Sequence, residues 1–109
     1  MRNKIEIISK ALIDGLNDII SLTKKEIKEE SFELCFLSKK VCFLFSCSLH
    51  HLDMPWQIIC KAIKKNEIIG FNYEITPVFL RNIDENIELL VNKIKDDVKE
   101  MIGSVPFVT

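Results

Sequence analysis

The chain has 109 residues, 48% of them hydrophobic and 28% charged, so it is neither disordered nor of low complexity. That length suffices for one buried core without disulfides or a metal ion. Its 15 basic and 16 acidic residues give a formal net charge of −1, which argues against nucleic acid as a partner because phosphate binding needs clustered positive charge.

Charged residues interrupt the first twenty positions, among them Arg2, Lys4 and Glu6, so this segment lacks the apolar run of a secretion signal. No apolar run in the sequence approaches the roughly 20 residues that a membrane-spanning helix needs. We therefore expect a soluble, cytoplasmic protein with no membrane partner. In a reducing compartment the four cysteines would be free thiols that pack as small hydrophobic residues.

The first element that the pattern predicts is an amphipathic helix over residues 3–21. Ile5, Ile8 and Leu12 recur at the spacing of one helical face. Gly15 lies beside this apolar stripe, where the missing side chain would permit a close crossing with another helix. Glycine lowers helix stability there by about 1 kcal/mol relative to alanine.

A second helix is predicted over residues 24–51, because Thr23 and Glu26 have the spacing of a capping box. From Leu34 onward this helix would be apolar on two sides, as expected in the middle of a bundle. A β-hairpin over residues 32–49 is the alternative, because apolar residues also alternate there with period two. Its turn, residues 38–40, lacks the glycine or asparagine that tight hairpins prefer.

A short third helix is predicted over residues 54–66, with Asp53 as its N-cap and Pro55 in its first turn. The stretch 68–75 is rich in β-branched and aromatic residues. A single strand is not stable by itself, so we expect 68–75 to form a packed loop, or an edge that pairs with another chain.

The last predicted helix covers residues 77–102 and has the clearest periodicity in the sequence. Thr76 and Pro77 open it, and Gly103 followed by Pro106 ends it. The sequence thus predicts a mainly α protein, a single helical domain over residues 1–109 that forms a bundle of about four helices.

One group of residues could carry metal or thiol chemistry: Cys47, His50 and His51, joined by Cys42, Asp53 or Cys60. The spacings do not match the paired short intervals of structural zinc sites. Three glycines are also too few for a phosphate-binding loop. We therefore predict no catalytic residue, cofactor or metal site and no enzyme activity, and keep a metal- or thiol-dependent protein as an alternative.

Local charge favours a protein partner instead. The last helix is acidic on its outer side, and an apolar residue stands within that acidic face. Such a face suits a basic partner, so we predict an inhibitor or immunity-type protein that neutralises a toxin or nuclease. The predicted contact residues are Glu85, Glu88, Leu89, Asn92 and Asp96.

The sequence also contains a group of lysines, and it leaves a homodimer open. A small basic group is read as ordinary solvated surface; it comprises Lys61, Lys64 and Lys65, joined by Lys39 and Lys40. A homodimer is a second alternative, in which residues 68–75 pair across a two-fold axis or the second helix is buried between subunits.

Overall fold

A five-stranded antiparallel sheet with helices on one side forms the fold. The computed structural model of the chain describes residues 3–50, 52 and 55–103. The strands follow one another across the sheet in chain order, β1-β2-β3-β4-β5. The elements are α1 (Lys4–Leu16), β1 (Ser21–Ile27), β2 (Ser31–Ser38), β3 (Val41–Ser48), β4 (Trp56–Lys64), β5 (Glu67–Ile75), α2 (Pro77–Arg81) and α3 (Ile83–Gly103).

The predicted four-helix bundle is therefore wrong, and the error lies between residues 21 and 75. The helix expected over residues 24–51 is instead β1, β2 and β3, and the alternative hairpin over residues 32–49 is confirmed in β2 and β3. Its turn holds Lys39 at a φ of 46°, in the left-handed region. A lysine occupies the position where glycine or asparagine would have signalled the turn.

The predicted capping box at Thr23 is also wrong, because Thr23 lies within β1. The register between β1 and β2 shifts between Leu22 and Lys24, which places Thr23 at a bulge. Its hydroxyl Oγ1 donates a hydrogen bond to the carbonyl of Cys35, 3.1 Å away. The threonine thus bonds across strands rather than to a following helical turn.

The helix predicted over residues 54–66 is wrong as well, since its described part from Trp56 onward is β4. Ile58, Cys60 and Ala62 are fully buried at alternate positions, as expected of a strand with one face in the core. Asp53, the predicted N-cap, lies outside the described residues. The next stretch, expected as a loop or a pairing edge, is β5, which pairs with β4 and forms one edge of the sheet.

The two terminal helices are confirmed with changed bounds. α1 is capped by Asn3, whose side-chain Oδ1 accepts a hydrogen bond from the amide of Ile5 at 2.8 Å, and it ends at Leu16 rather than at residue 21. Thr76 caps α2 as predicted, because its Oγ1 accepts from the amide of Phe79 at 3.0 Å. The expected continuous last helix is broken at Asn82, where α2 ends and α3 begins.

The core lies between the helices and one face of the sheet, which we call the inner face. Phe36 and Phe45 meet edge to face with their ring centroids 5.6 Å apart. α1 lies over β1 and β2 and packs against α3. The fully buried side chains of this core include Ile5, Ile8, Leu12 and Leu16 from α1, Phe32, Leu34, Phe36, Phe43 and Phe45 from the sheet, and Ile94 from α3.

Gly15 marks the close helix crossing that the sequence predicts. A Cβ atom built on Gly15 would overlap Cγ1 of Val91 in α3, so the crossing depends on the missing side chain. Because valine is branched at Cβ, this methyl group has little freedom to move aside. Gly15 therefore sets how closely the two helices approach.

We expect Gly15→Ala to destabilise the fold by about 1 kcal/mol. Overpacking costs roughly 1–3 kcal/mol, and the gain in helix propensity returns about 0.5–1 kcal/mol. Urea unfolding measures the difference. Val91→Ala is the matched control: it alone also destabilises, but in its background Gly15→Ala should become neutral or stabilising. Equal effects of Gly15→Ala in both backgrounds would refute the crowding between these two residues.

Candidate functional site

The second face of the sheet, which we call the open face, carries the side chains that alternate with those of the core. In the part of the chain that the structure describes, α1 and α3 both pack on the inner face. In an antiparallel sheet with one solvated face, that face usually presents polar residues. The open face departs from this pattern at one end.

Six residues form an apolar patch on the open face. Leu37, Cys42, Ile63 and Ile68 are paired in one row that runs from β2 to β5, and Cys35 pairs with Leu44 in the next row. The exposed fraction is 47% for Leu37 and 70% for Ile68. The apolar patch is thus continuous across four strands, at the end of the sheet where the β2–β3 and β4–β5 turns lie.

Lysines border the apolar patch. Lys24 and Lys61 lie in the same row as Cys35 and Leu44, and the two neighbouring turns carry further lysines. These two rows of the open face contain no carboxylate. The sequence placed Lys39, Lys40, Lys61, Lys64 and Lys65 in one basic group, and the hairpins do bring them to one end of the sheet.

The other end of the open face is polar. Glu26 and Glu33 are directly opposite each other in β1 and β2, and the Nζ atom of Lys28 lies 3.4 Å from the Oε1 atom of Glu26. A groove of about 420 Å³ lies here, and Ser46 and Gln57 contribute to its lining. The open face therefore changes from polar to apolar along the strands.

The five predicted contact residues lie together on α3. Glu85, Glu88, Leu89, Asn92 and Asp96 are all exposed, and Leu89 has 71% of its surface accessible. The structure thus gathers them on one helical surface, as the sequence predicts. Their role in binding a partner stays a prediction.

The described cysteines of the alternative metal site lie on different faces of the sheet. Cys42 lies on the open face, whereas Cys47 and Cys60 are buried on the inner face. His51 and Asp53 lie outside the described residues. Among the residues that are described, no group of three potential ligand side chains lies together.

His50 instead takes part in the loop that follows β3. Its carbonyl accepts a hydrogen bond from Nε1 of Trp56 at 2.8 Å, and its Nε2 atom lies 3.8 Å from the Oε2 atom of Glu30. The imidazole Nδ1 also accepts from the amide of Leu52 at 3.4 Å. These contacts join His50 to Leu52, to Trp56 at the start of β4 and to Glu30 before β2.

Burial raises the pKa of the Cys47 and Cys60 thiols to about 12. Both thiols are therefore protonated at neutral pH, and the thiolate is the form that acts as a nucleophile or a metal ligand. Cys35 and Cys42 are partly accessible on the open face. Two cysteines are thus buried and two are partly accessible, a difference that the sequence alone did not predict.

We expect a thiol reagent at pH 8 to modify Cys35 and Cys42 at least about a hundredfold faster than Cys47 and Cys60. Mass spectrometry of peptides after timed labelling measures each rate. The same experiment in denaturant is the control, and there all four rates should converge. Fast labelling of Cys47 or Cys60 in the folded protein would contradict the placement of β3 and β4.

The sequence did not predict the apolar patch, because five of its six residues were assigned to helices and Ile68 to the stretch 68–75. The signal was present in the period-two pattern of residues 32–49, whose second set of alternating positions includes Leu37, Cys42 and Leu44. A strand with apolar residues at both sets of positions needs a cover on both faces, or a partner. The sequence would have predicted the apolar patch only if residues 32–49 had been assigned to the hairpin and not to a helix.

Comparison of the chain with models of protein families, with curated proteins and with solved structures gave no match. Within the described residues, no helix combines the length and the apolar character needed to cross a membrane.

Proposed function

We propose that this chain is a non-catalytic protein-binding module and that the apolar patch is its contact surface. The observation that carries the proposal is the row Leu37, Cys42, Ile63 and Ile68, which occupies solvent-facing positions of a sheet. Large exposed apolar areas cost solubility, and on soluble proteins they are typical of interaction sites.

The border of the apolar patch indicates the chemistry of the partner. Lys24 and Lys61 lie beside apolar side chains, so the best complement is a protein surface that presents aliphatic residues flanked by carboxylates. Nucleic acid is a poorer fit. Surfaces that bind single strands stack bases on aromatic side chains and arginine, whereas the patch is built from aliphatic side chains and thiols.

The narrower expectation, an inhibitor or immunity protein for a toxin or nuclease, depends on the acidic outer surface of the last helix and stays a prediction. The apolar patch and its lysines favour an acidic partner rather than a basic one. The acidic surface on α3 remains as a rival contact site, and the test below separates the two.

Capture of partners on the immobilised protein, followed by calorimetry with the purified partner, tests the proposal. Ile63→Asp should weaken binding at least about thirtyfold, corresponding to ~2 kcal/mol, because it places a charge within the apolar contact. Leu89→Asp is the matched control: it makes the same kind of change at an exposed site on α3. We expect its affinity to stay within about twofold of the original.

Salt dependence and charge reversal test the lysine border. Lys61→Glu should slow association with the partner, and the original protein should associate more slowly as salt rises. Loss of binding with Leu89→Asp but not with Ile63→Asp would overturn the proposal and assign the contact to α3. The proposal would also be overturned if the protein captured only nucleic acid and the Ile63→Asp variant bound that nucleic acid equally well.

A further inference from the structure

The two edges of the sheet differ in how well they are protected against pairing with another strand. Unprotected edges attract further strands, and proteins block them with charges, bulges or short strands. β1 carries two of these devices: the register shift next to Lys24, and the charged run Lys24, Lys25 and Glu26. β5 has nine residues, and its sequence from Ile68 to Tyr73 contains no charge, no proline and no register shift.

The hairpin register shows which main-chain groups of β5 are free to pair. Lys64 and Glu67 flank a two-residue turn, so they exchange hydrogen bonds with each other. Hydrogen-bonded and non-hydrogen-bonded pairs alternate along an antiparallel ladder. Ile68, Gly70, Asn72 and Glu74 therefore direct their N–H and C=O groups away from β4. Among the described residues, no main-chain group is hydrogen-bonded to these outward groups.

On the inner face, the helices cover only one end of the same edge. The phenolic oxygen of Tyr73 donates a hydrogen bond to Oδ2 of Asp97 at 2.6 Å, which fixes α3 above this end of β5. Between α3 and β5 lies an open cavity of about 430 Å³, which Ile69, Phe71 and Met101 help to line. Ile69 is 38% exposed although it belongs to the inner face.

We infer that a second copy of this chain pairs antiparallel with β5, across a two-fold axis at Phe71, so that the two sheets become one. In this register Gly70 pairs with the second copy's Asn72, and Ile68 pairs with its Glu74. Four such pairs exchange two bonds each, which gives about eight main-chain hydrogen bonds. All nine residues of β5 are then paired.

Charge and shape favour a second copy as the occupant. Glu67 and Glu74 lie near the two ends of β5, and the register places them opposite the second copy's Ile75 and Ile68. No carboxylate therefore faces another carboxylate directly. On the inner face, Phe71 lies opposite the second copy's Phe71 at a non-hydrogen-bonded pair, where side chains approach most closely. Ile69 lies opposite the second copy's Tyr73. This inference does not rest on the proposed function, because main-chain groups of β5 carry it.

Analytical ultracentrifugation of the full chain, with Asn72→Pro as the variant, tests the pairing. The original protein should sediment as a reversible dimer of the 12.6 kDa chain. Proline at residue 72 removes an N–H that points outward and leaves the hydrogen bonds to β4 intact. We expect it to raise the dimer dissociation constant at least about tenfold, since one donor is lost from each copy. Asn72→Ala, which keeps the N–H, is the matched control and should remain dimeric.

Cross-linking keeps the inference falsifiable if Asn72→Pro does not fold. With Cys35 and Cys42 changed to serine, Phe71→Cys should form a disulfide-linked dimer under mild oxidation, because paired non-hydrogen-bonded positions suit a disulfide. Ile68→Cys is the control. In the same register residue 68 lies about 20 Å along the strand from its own copy, so it should not cross-link.

Three results would overturn the inference. The first is a monomer at all concentrations, as expected if β5 receives a strand from a different protein or stays unpaired. The second is a dimer that a folded Asn72→Pro variant leaves equally tight. The third is cross-linking through residue 68 in preference to residue 71.

Discussion

The packing of α1 and α3 on a single face of the sheet is the constraint on which the rest of the structure depends. The inner face is rich in phenylalanine and is buried along β2 and β3, and the helices that cover it meet at Gly15 and Val91. Two helices in contact with each other can cover one face of a five-stranded sheet. The opposite face and the β5 edge then remain without a partner in the described part of the chain, and both contain residues that water solvates poorly.

Sequence periodicity predicted the two terminal helices because each has a single apolar stripe. Ile5, Ile8 and Leu12 in α1 fit no strand pattern, and the cap at Thr76 follows from local chemistry alone. Gly15 could be assigned to a helix crossing for the same reason, since only a missing side chain explains a glycine beside the core.

The strands could not be recognised in the same way because their second face is also apolar. When both sets of alternating positions carry Leu, Ile, Phe or Cys, every third or fourth residue is apolar as well, so a helical stripe can be drawn through a strand. The β2–β3 turn was also hard to predict, because its left-handed residue is Lys39, whereas glycine or asparagine is usual at such positions. The same residues that misled the assignment, Leu37 and Ile63 among them, form the candidate site. The sequence predicted the group of lysines at its border, but the apolar centre becomes visible only when the pairing of β2, β3, β4 and β5 is known.

The central claim is that one face of the sheet is buried under the helices while the other is accessible. Relaxation of methyl signals by a water-soluble gadolinium chelate measures this directly in solution. We predict strong relaxation of the methyl groups of Leu37, Ile63 and Ile68, and weak relaxation of those of Leu34, Ile58 and Ile75, which are 0–1% exposed. Equal protection of both sets would contradict the account, because it would mean that the open face is covered in the free protein.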